Sequence, residues 1–373
     1  MPIKHIPAEM IPFFILYGIT GIVAFIAAVY LLLRRGNAFA PDVTPPVQLR
    51  RWAASFFSLL SLSHVWWYFF YIYSGDTHSV VYLVNVVLDC AGLLTTIAGT
   101  LLSMLQDRKR PVWPVFAAMI PVIALGVFHI CYPDGPFMDI ATVYILSFYV
   151  LFSGYIAFSV RKYGQWLNDN YADLENKKVW LSQMVSLVCL LMFILYALID
   201  TDNFLIYLLH ALELVLFGLL LWRVETLPQL EEPPVQESTS LHTKEEQEGG
   251  SEGYFPNIDL AKIERLLAEH CVGTQLYLQH ELTLQQLAQA IGTNRSYLSQ
   301  YFARQGITYN TYINNLRINY FISSYQEIVR THQPFTVQQL VSDSGYRSYS
   351  TFSRAFMQRM GQSVTAWMRQ SAE

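Results

Sequence analysis

Seven runs of about 20 residues, nearly free of charge, precede Trp222 in this chain: roughly 11 to 33, 52 to 73, 80 to 105, 111 to 132, 138 to 160, 180 to 200 and 203 to 222. At about 1.5 Å per residue each is long enough to cross the hydrocarbon core of a bilayer as a helix. Overall, 53% hydrophobic and 14% charged residues make a 373-residue chain too apolar for an ordinary soluble protein. The first run reads as a span rather than a signal peptide, because it lacks a basic leader and a small-residue cleavage site. Near residue 225 the composition changes to that of a water-soluble domain.

Lys and Arg fix the expected orientation, since basic loops stay in the cytoplasm. Taking alternate loops, one side holds Arg34, Arg35, Arg50, Arg51, Arg108, Lys109, Arg110, Arg161, Lys162, Lys177, Lys178 and Arg223, and the other holds Lys4 alone. The asymmetry predicts an N-terminus outside and everything after Arg223 in the cytoplasm, in a bacterial inner membrane. Trp52, Trp113, Trp180 and Trp222 fall at the inner ends of the spans, where indole favours the interface. The outer loops are too short to form a ligand-binding domain. Cys90, Cys131, Cys189 and Cys271 are isolated, without the spacing of a disulfide framework or a zinc site.

Residues 226 to 253 carry seven Glu, one Lys and three Pro between Leu227 and Gly253, a composition that predicts a disordered acidic tether. From about Ile258 a helical period returns, with Leu260, Ile263, Leu266 and Leu267 on one face. In TLQQLAQAIGTNRSYLSQYF, Thr283 is the expected N-cap, Leu284, Leu287 and Ala288 point inward, Gly292 makes the turn, and a second helix from Asn294 to Arg304 buries Leu298 and Phe302. The pattern recurs in FTVQQLVSDSGYRSYSTFSRAF. Val337, Leu340 and Gly345 repeat the first unit at an offset of 53, and Phe352 and Phe356 at 54, so the second turn is one residue longer. A long helix, about 309 to 329, is predicted to join two helix-turn-helix units.

LTLQQLAQAIG, SYLSQYF, NNLRIN with Arg317, and GYRSYSTFSRAF before Gly361 resemble the DNA-binding domain of AraC/XylS-type transcriptional regulators. The resemblance covers residues 258 to 370 and departs from the family at Val364, where proline is usual. It implies that both second helices enter adjacent major grooves. Projection onto helices turns Arg295, Ser296, Ser299, Gln300, Tyr349, Ser350, Ser353 and Arg354 outward, and the resemblance implies that these positions touch base edges, whereas Arg304 and Arg359, further along, are better placed for phosphates. Arg317 is expected to brace the domain core. Between Thr283 and Arg369 there are eight Arg, no Lys and two acids, Glu327 and Asp343, a charge suited to DNA.

Ionisable residues inside a span cost about 2.5 to 3.5 kcal/mol each. His64, Asp89, His210 and Glu213, with Asn85, are expected at one depth below the outer surface. They form either a ligand cavity open to the outside or a hydrogen-bonded cluster joining spans two, three and seven.

The sequence thus predicts an all-α protein: a seven-helix transmembrane bundle over 1–225, a linker over 226–253 and an AraC-like domain over 254–373. The expected function is a membrane-embedded one-component transcription regulator whose partners are double-stranded DNA, the lipid bilayer and an unidentified small-molecule or membrane signal, with homodimerisation left open. No cofactor, metal or catalytic residue is assigned. The rivals are a transporter or membrane enzyme with an autoregulatory DNA-binding tail, and a constitutive membrane-anchored DNA-binding scaffold.

Overall fold

The computed structural model describes residues 10–73, 79–174, 177–180, 184, 188, 203–230 and 260–372, with the backbone alone for 203–206 and 372. The chain divides into two compact units, Met1–Tyr163 with Val179–Glu232, and Gly164–Lys178 with Pro233–Glu373. Regular structure among the described residues is helical, with a single β-bridge.

Among the described residues of the first unit the helices are α1 (Ile11–Leu33), α2 (Val47–Tyr73), α3 (Val80–Ser103), α4 (Trp113–Cys131), α5 (Phe137–Asn170, which runs on into the second unit) and α6 (Asn203–Thr226). Among the described residues, five helical stretches are long and apolar enough to cross a membrane: α1, α3, α4, α5 and Tyr207–Thr226 of α6. Of the seven expected spans, these match the first, third, fourth, fifth and seventh. The 27-residue α2 is long enough, but its Ser, His, Trp and Tyr residues keep it outside this apolar set. The expected sixth span, 180 to 200, lies almost wholly outside the described residues.

Helix α1 shows how the bundle is built. Its buried residues are Thr20, Gly21, Ala24, Ala27, Ala28 and Leu31, whereas Ile15, Ile19, Ile22, Phe25, Ile26 and Leu32 are exposed. Small residues inside and large apolar residues outside reverse the soluble pattern and suit a lipid surround, where close backbone approach holds helices together. At Gly21 an added Cβ would lie 3.0 Å from the His64 Cβ, so a larger residue would press on α2 there.

At the opposite end of α1, the end of α6 is clamped. Glu225, fully buried, pairs with Arg34 at 3.0 Å and accepts from the Tyr30 hydroxyl at 3.3 Å, and Asn37 donates to the Glu225 carbonyl at 2.8 Å. The following residues are held too: the Gln229 N–H donates to the Thr44 carbonyl, while the Gln106 side chain donates to the Pro228 carbonyl and accepts from the Leu230 N–H. The first five residues of the linker expected over 226–253 are therefore held in the first unit, and 231–259 lies outside the described residues.

The second unit contains α7 (Leu260–Leu267), which continues as a π-helical turn Ala268–Val272, then α8 (Leu284–Ala290), α9 (Arg295–Arg304), α10 (Tyr309–Thr331), α11 (Val337–Asp343), α12 (Tyr349–Met360) and α13 (Val364–Ala372). Hydroxyl and amide side chains start these helices. Thr283 and Gln286 form a capping box, Thr336 caps Gln339 in the repeated TxQQL motif, and Asn294, Thr308 and Ser348 cap α9, α10 and α12. Val364 occupies the first helical position of α13, and Ser363 accepts from the Ala366 N–H, so the turn forms without the proline usual in the family that this segment resembles.

Two cores share α10. Tyr309 and Ile313 join Leu284, Leu287, Ala288, Leu298 and Phe302 in one, and Ile318, Phe321 and Tyr325 join Leu340, Phe352, Phe356 and Trp367 in the other. Burial in both cores of one uninterrupted helix fixes the two helix pairs relative to each other.

Candidate nucleic-acid interface

The two helix pairs, α8 with α9 and α11 with α12, turn at Gly292 (φ 70°) and Gly345 (φ 85°). Gly292 faces open space and needs glycine for its dihedral alone. At Gly345 a Cβ would also lie 2.8 Å from the Leu278 carbonyl oxygen and 3.0 Å from Arg317 Nε. Arg317 itself is buried: Nε and Nη2 donate to the carbonyls of Tyr277 and Gln279, each at 2.7 Å, and its guanidinium lies 5.4 Å from the Tyr346 ring centroid. Burial lowers its pKa, opposed by the nearby Tyr346. It locks the segment before α8 to the linking helix.

On α12, Tyr349, Ser350, Ser353 and Arg354 line one shallow surface depression with Met357 and Gln358. The last two lie one turn along from Ser353 and Arg354, a helical spacing that would have nominated them. Arg354 is exposed. Arg359, assigned to phosphates, donates from Nη1 to the Asn315 carbonyl and from Nη2 to Asn319 Oδ1 at 2.6 Å, so in this state it braces α12 against α10. Arg304, at the end of α9, is exposed.

On α9, Ser299 is exposed, and Ser296 and Gln300 are half-buried. Tyr297, not nominated, is exposed beside them. Arg295 is held: Nε and Nη2 donate to Asn170 Oδ1 at 3.1 and 2.5 Å. Asn170 ends α5, and the chain after it is built into the second unit. Tyr171 bridges to Thr283, the Ala172 N–H donates to the Leu282 carbonyl, and Asn310 Nδ2 donates to the carbonyls of Tyr171 and Ala172 at 3.1 and 2.7 Å. Ala172 is buried in the first core, and Lys177 lies 3.9 Å from Glu281. Burial lowers the Arg295 pKa, with Tyr171 opposing the shift, while the hydrogen-bonding partner is a neutral amide. An anion in place of that amide would bind the guanidinium more strongly.

The expected intramembrane layer resolves into two groups. His64 Nε2 lies 2.9 Å from Thr20 Oγ1, and His210 Nδ1 lies 3.0 Å from Glu213 Oε2. The donor atoms of His64, His210 and Glu213 all lie within 4.8 Å of one another. Asp89 is engaged elsewhere, its Oδ2 accepting from Ser63 Oγ at 2.9 Å and from the Trp67 indole. Asn85 is buried on α3. The sequence missed Thr20, Ser63 and Trp67. A hydroxyl or indole costs little in a span, so these residues carry no signal until their partners are known.

A family model described as a helix-turn-helix domain matches residues 287–370. No curated protein and no solved structure matches the chain. The C-terminal part therefore carries a helix-turn-helix domain of the AraC type, a DNA-binding module, which points to a regulator rather than an enzyme.

Proposed function

We propose that this chain is a membrane-embedded transcription regulator in which the membrane helices are the sensor and two helix-turn-helix units, α8–α9 and α11–α12, read promoter DNA. The observation that carries the reading is the bond between Asn170 and Arg295. The segment joining the fifth and expected sixth spans is part of the core of the DNA-binding unit, and it occupies an arginine on the first recognition helix. A purely anchored tail would need only its tether. Here a second stretch of chain, Gly164–Lys178, reaches the reader.

In this reading Arg295 exchanges a neutral amide for DNA when the segment shifts. Signal-dependent movement of α5 then changes DNA affinity by the difference between the two partners, as any two-state coupling requires. Ser296, Ser299, Gln300, Tyr349, Ser350, Ser353 and Arg354 contact bases, and Arg304 and Arg359 contact phosphates, Arg359 after leaving Asn319.

The test is DNA binding by the full-length chain in detergent or nanodiscs. Duplex binding that weakens steeply with salt is expected, because neutralised phosphates release counterions. Absence of duplex binding at low salt rejects the regulator. Equal occupancy of the promoter in wild type and in variants that free Arg295 would leave a constitutive anchored scaffold.

A further inference from the structure

We infer that His64, His210 and Glu213 form a binding site for a borderline divalent transition metal of the zinc class. The consequence for transcription rests on the sensor reading above, whereas the binding itself does not. His64 Nδ1 lies 2.9 Å from the Leu60 carbonyl, which can only accept, so the proton sits on Nδ1 and Nε2 presents its lone pair. A ring nitrogen donating to a backbone carbonyl is the usual support of a metal-bound histidine. Opposite Nε2, the Thr20 hydroxyl has a competing acceptor, the Tyr17 carbonyl at 2.7 Å. When Thr20 donates to that carbonyl, two lone pairs face each other at 2.9 Å, an arrangement that a cation between the helices relieves.

His210 and Glu213 supply the other ligands from one face of α6, three residues apart. Their 3.0 Å separation is close to the edge of about 3.3 Å expected for a tetrahedral site with bonds near 2.0–2.1 Å. Bringing His64 into that geometry requires closing gaps of at most 4.8 Å, which rotation of the side chains can do. Two imidazoles and one carboxylate suit zinc and its neighbours rather than calcium or magnesium, which take oxygen ligands. Three protein ligands leave one position for water or an exogenous donor. The cluster is shielded by Phe13 and Tyr17, whose rings lie 5.6 and 5.5 Å from His210. Metal binding would join α2 to α6 beside α1, and so set the packing of the helix that leads into the clamp at Glu225.

The experiment uses the full-length chain, purified in detergent, stripped with a chelator and titrated with Zn2+ against a chromophoric competitor, with Co2+ as a spectroscopic probe. One equivalent per chain and a Co2+ ligand-field band are expected. His64→Ala, His210→Ala and Glu213→Gln should each lose stoichiometric uptake, Glu213→His should keep it, and Asp89→Asn, on the separate polar group, should leave it unchanged. Wild type that takes up no zinc at micromolar free metal, or shows no Co2+ band, overturns the site whatever the variants do. Uptake retained by all three ligand variants overturns it as well. Stoichiometric binding with no effect of zinc on promoter occupancy keeps the site and removes its role as the signal.

Discussion

Asn170 Oδ1 accepts from two nitrogens of Arg295, joining the last residue of α5 to the first residue of α9. Asn170→Ala removes two charge-assisted hydrogen bonds, worth about 1.5–3 kcal/mol together. If docking competes with DNA, operator affinity of the full-length chain should rise by roughly tenfold or more, since about 1.4 kcal/mol is tenfold. Titration of operator DNA with wild type and variant measures this. Unchanged or weaker affinity would show that the contact does not oppose DNA.

Because Ala172 is buried and Asn310 holds two carbonyls of the same segment, a fragment of 254–373 lacks part of its own core. Adding a peptide of 164–178 should raise its melting temperature in a concentration-dependent way, as any ligand of the native state does. A peptide carrying Ala172→Glu should not.

Arg354→Ala should weaken one specific operator by about 1–3 kcal/mol if it removes a bidentate base contact. Arg304→Ala should instead weaken all duplexes alike and reduce the salt slope by about 1. Competition binding across sequences at several salt concentrations separates these outcomes.

The Glu225 and Arg34 side chains are both buried, so losing either removes the other's direct ion-pair partner, at a cost of up to about 3–5 kcal/mol. Glu225→Leu and Arg34→Met should each lower the amount of folded protein recovered from membranes, and the double variant should recover much of it. Fluorescence-detected size-exclusion profiles of the three variants provide the measurement.

Cys271 is fully buried, and that burial pushes its thiol pKa from 9.0 up to about 11. The folded value lies above the unfolded one, so the contribution to stability is complete below pH 9 and is lost as pH rises through about 11. Iodoacetamide at mildly alkaline pH should label exposed Cys131 and spare Cys271, and labelling of Cys271 should appear as pH approaches its folded value. Peptide mapping by mass spectrometry reads both sites. Rapid labelling of Cys271 at pH 8 would contradict its burial.

The features that sequence revealed are those fixed locally. Thr283 and Thr336 announce helix starts through their own side chains, Gly292 and Gly345 mark turns that require positive φ, and α1 is long and apolar enough to be read without its neighbours. The docking of 164–178 was not legible, because WLNDNYADLENKK has the composition of a polar loop and its bonding partners, Leu282 and Asn310, are remote in sequence. Depth within a span could be counted from its ends, which placed His64, Asp89, His210 and Glu213 at one level. Rotation about the helix axis could not, because it depends on which helices pair. That rotation turned Asp89 toward Ser63 and Trp67 and left His64 with His210.

Helix α5, about 51 Å long over its 34 residues, carries the chain from one unit into the other, and the chain returns before the acidic stretch begins. The DNA-binding unit is therefore discontinuous in sequence. Exchange of the tail for that of another regulator at residues 231–259 would graft a foreign reader onto a leftover piece of the original one. A protease cut there would sever one connection and still leave the two halves associated through Tyr171, Ala172 and Asn310. Chimaeras of such chains need two matched junctions, and the segment 164–178 has to travel with its recognition helices.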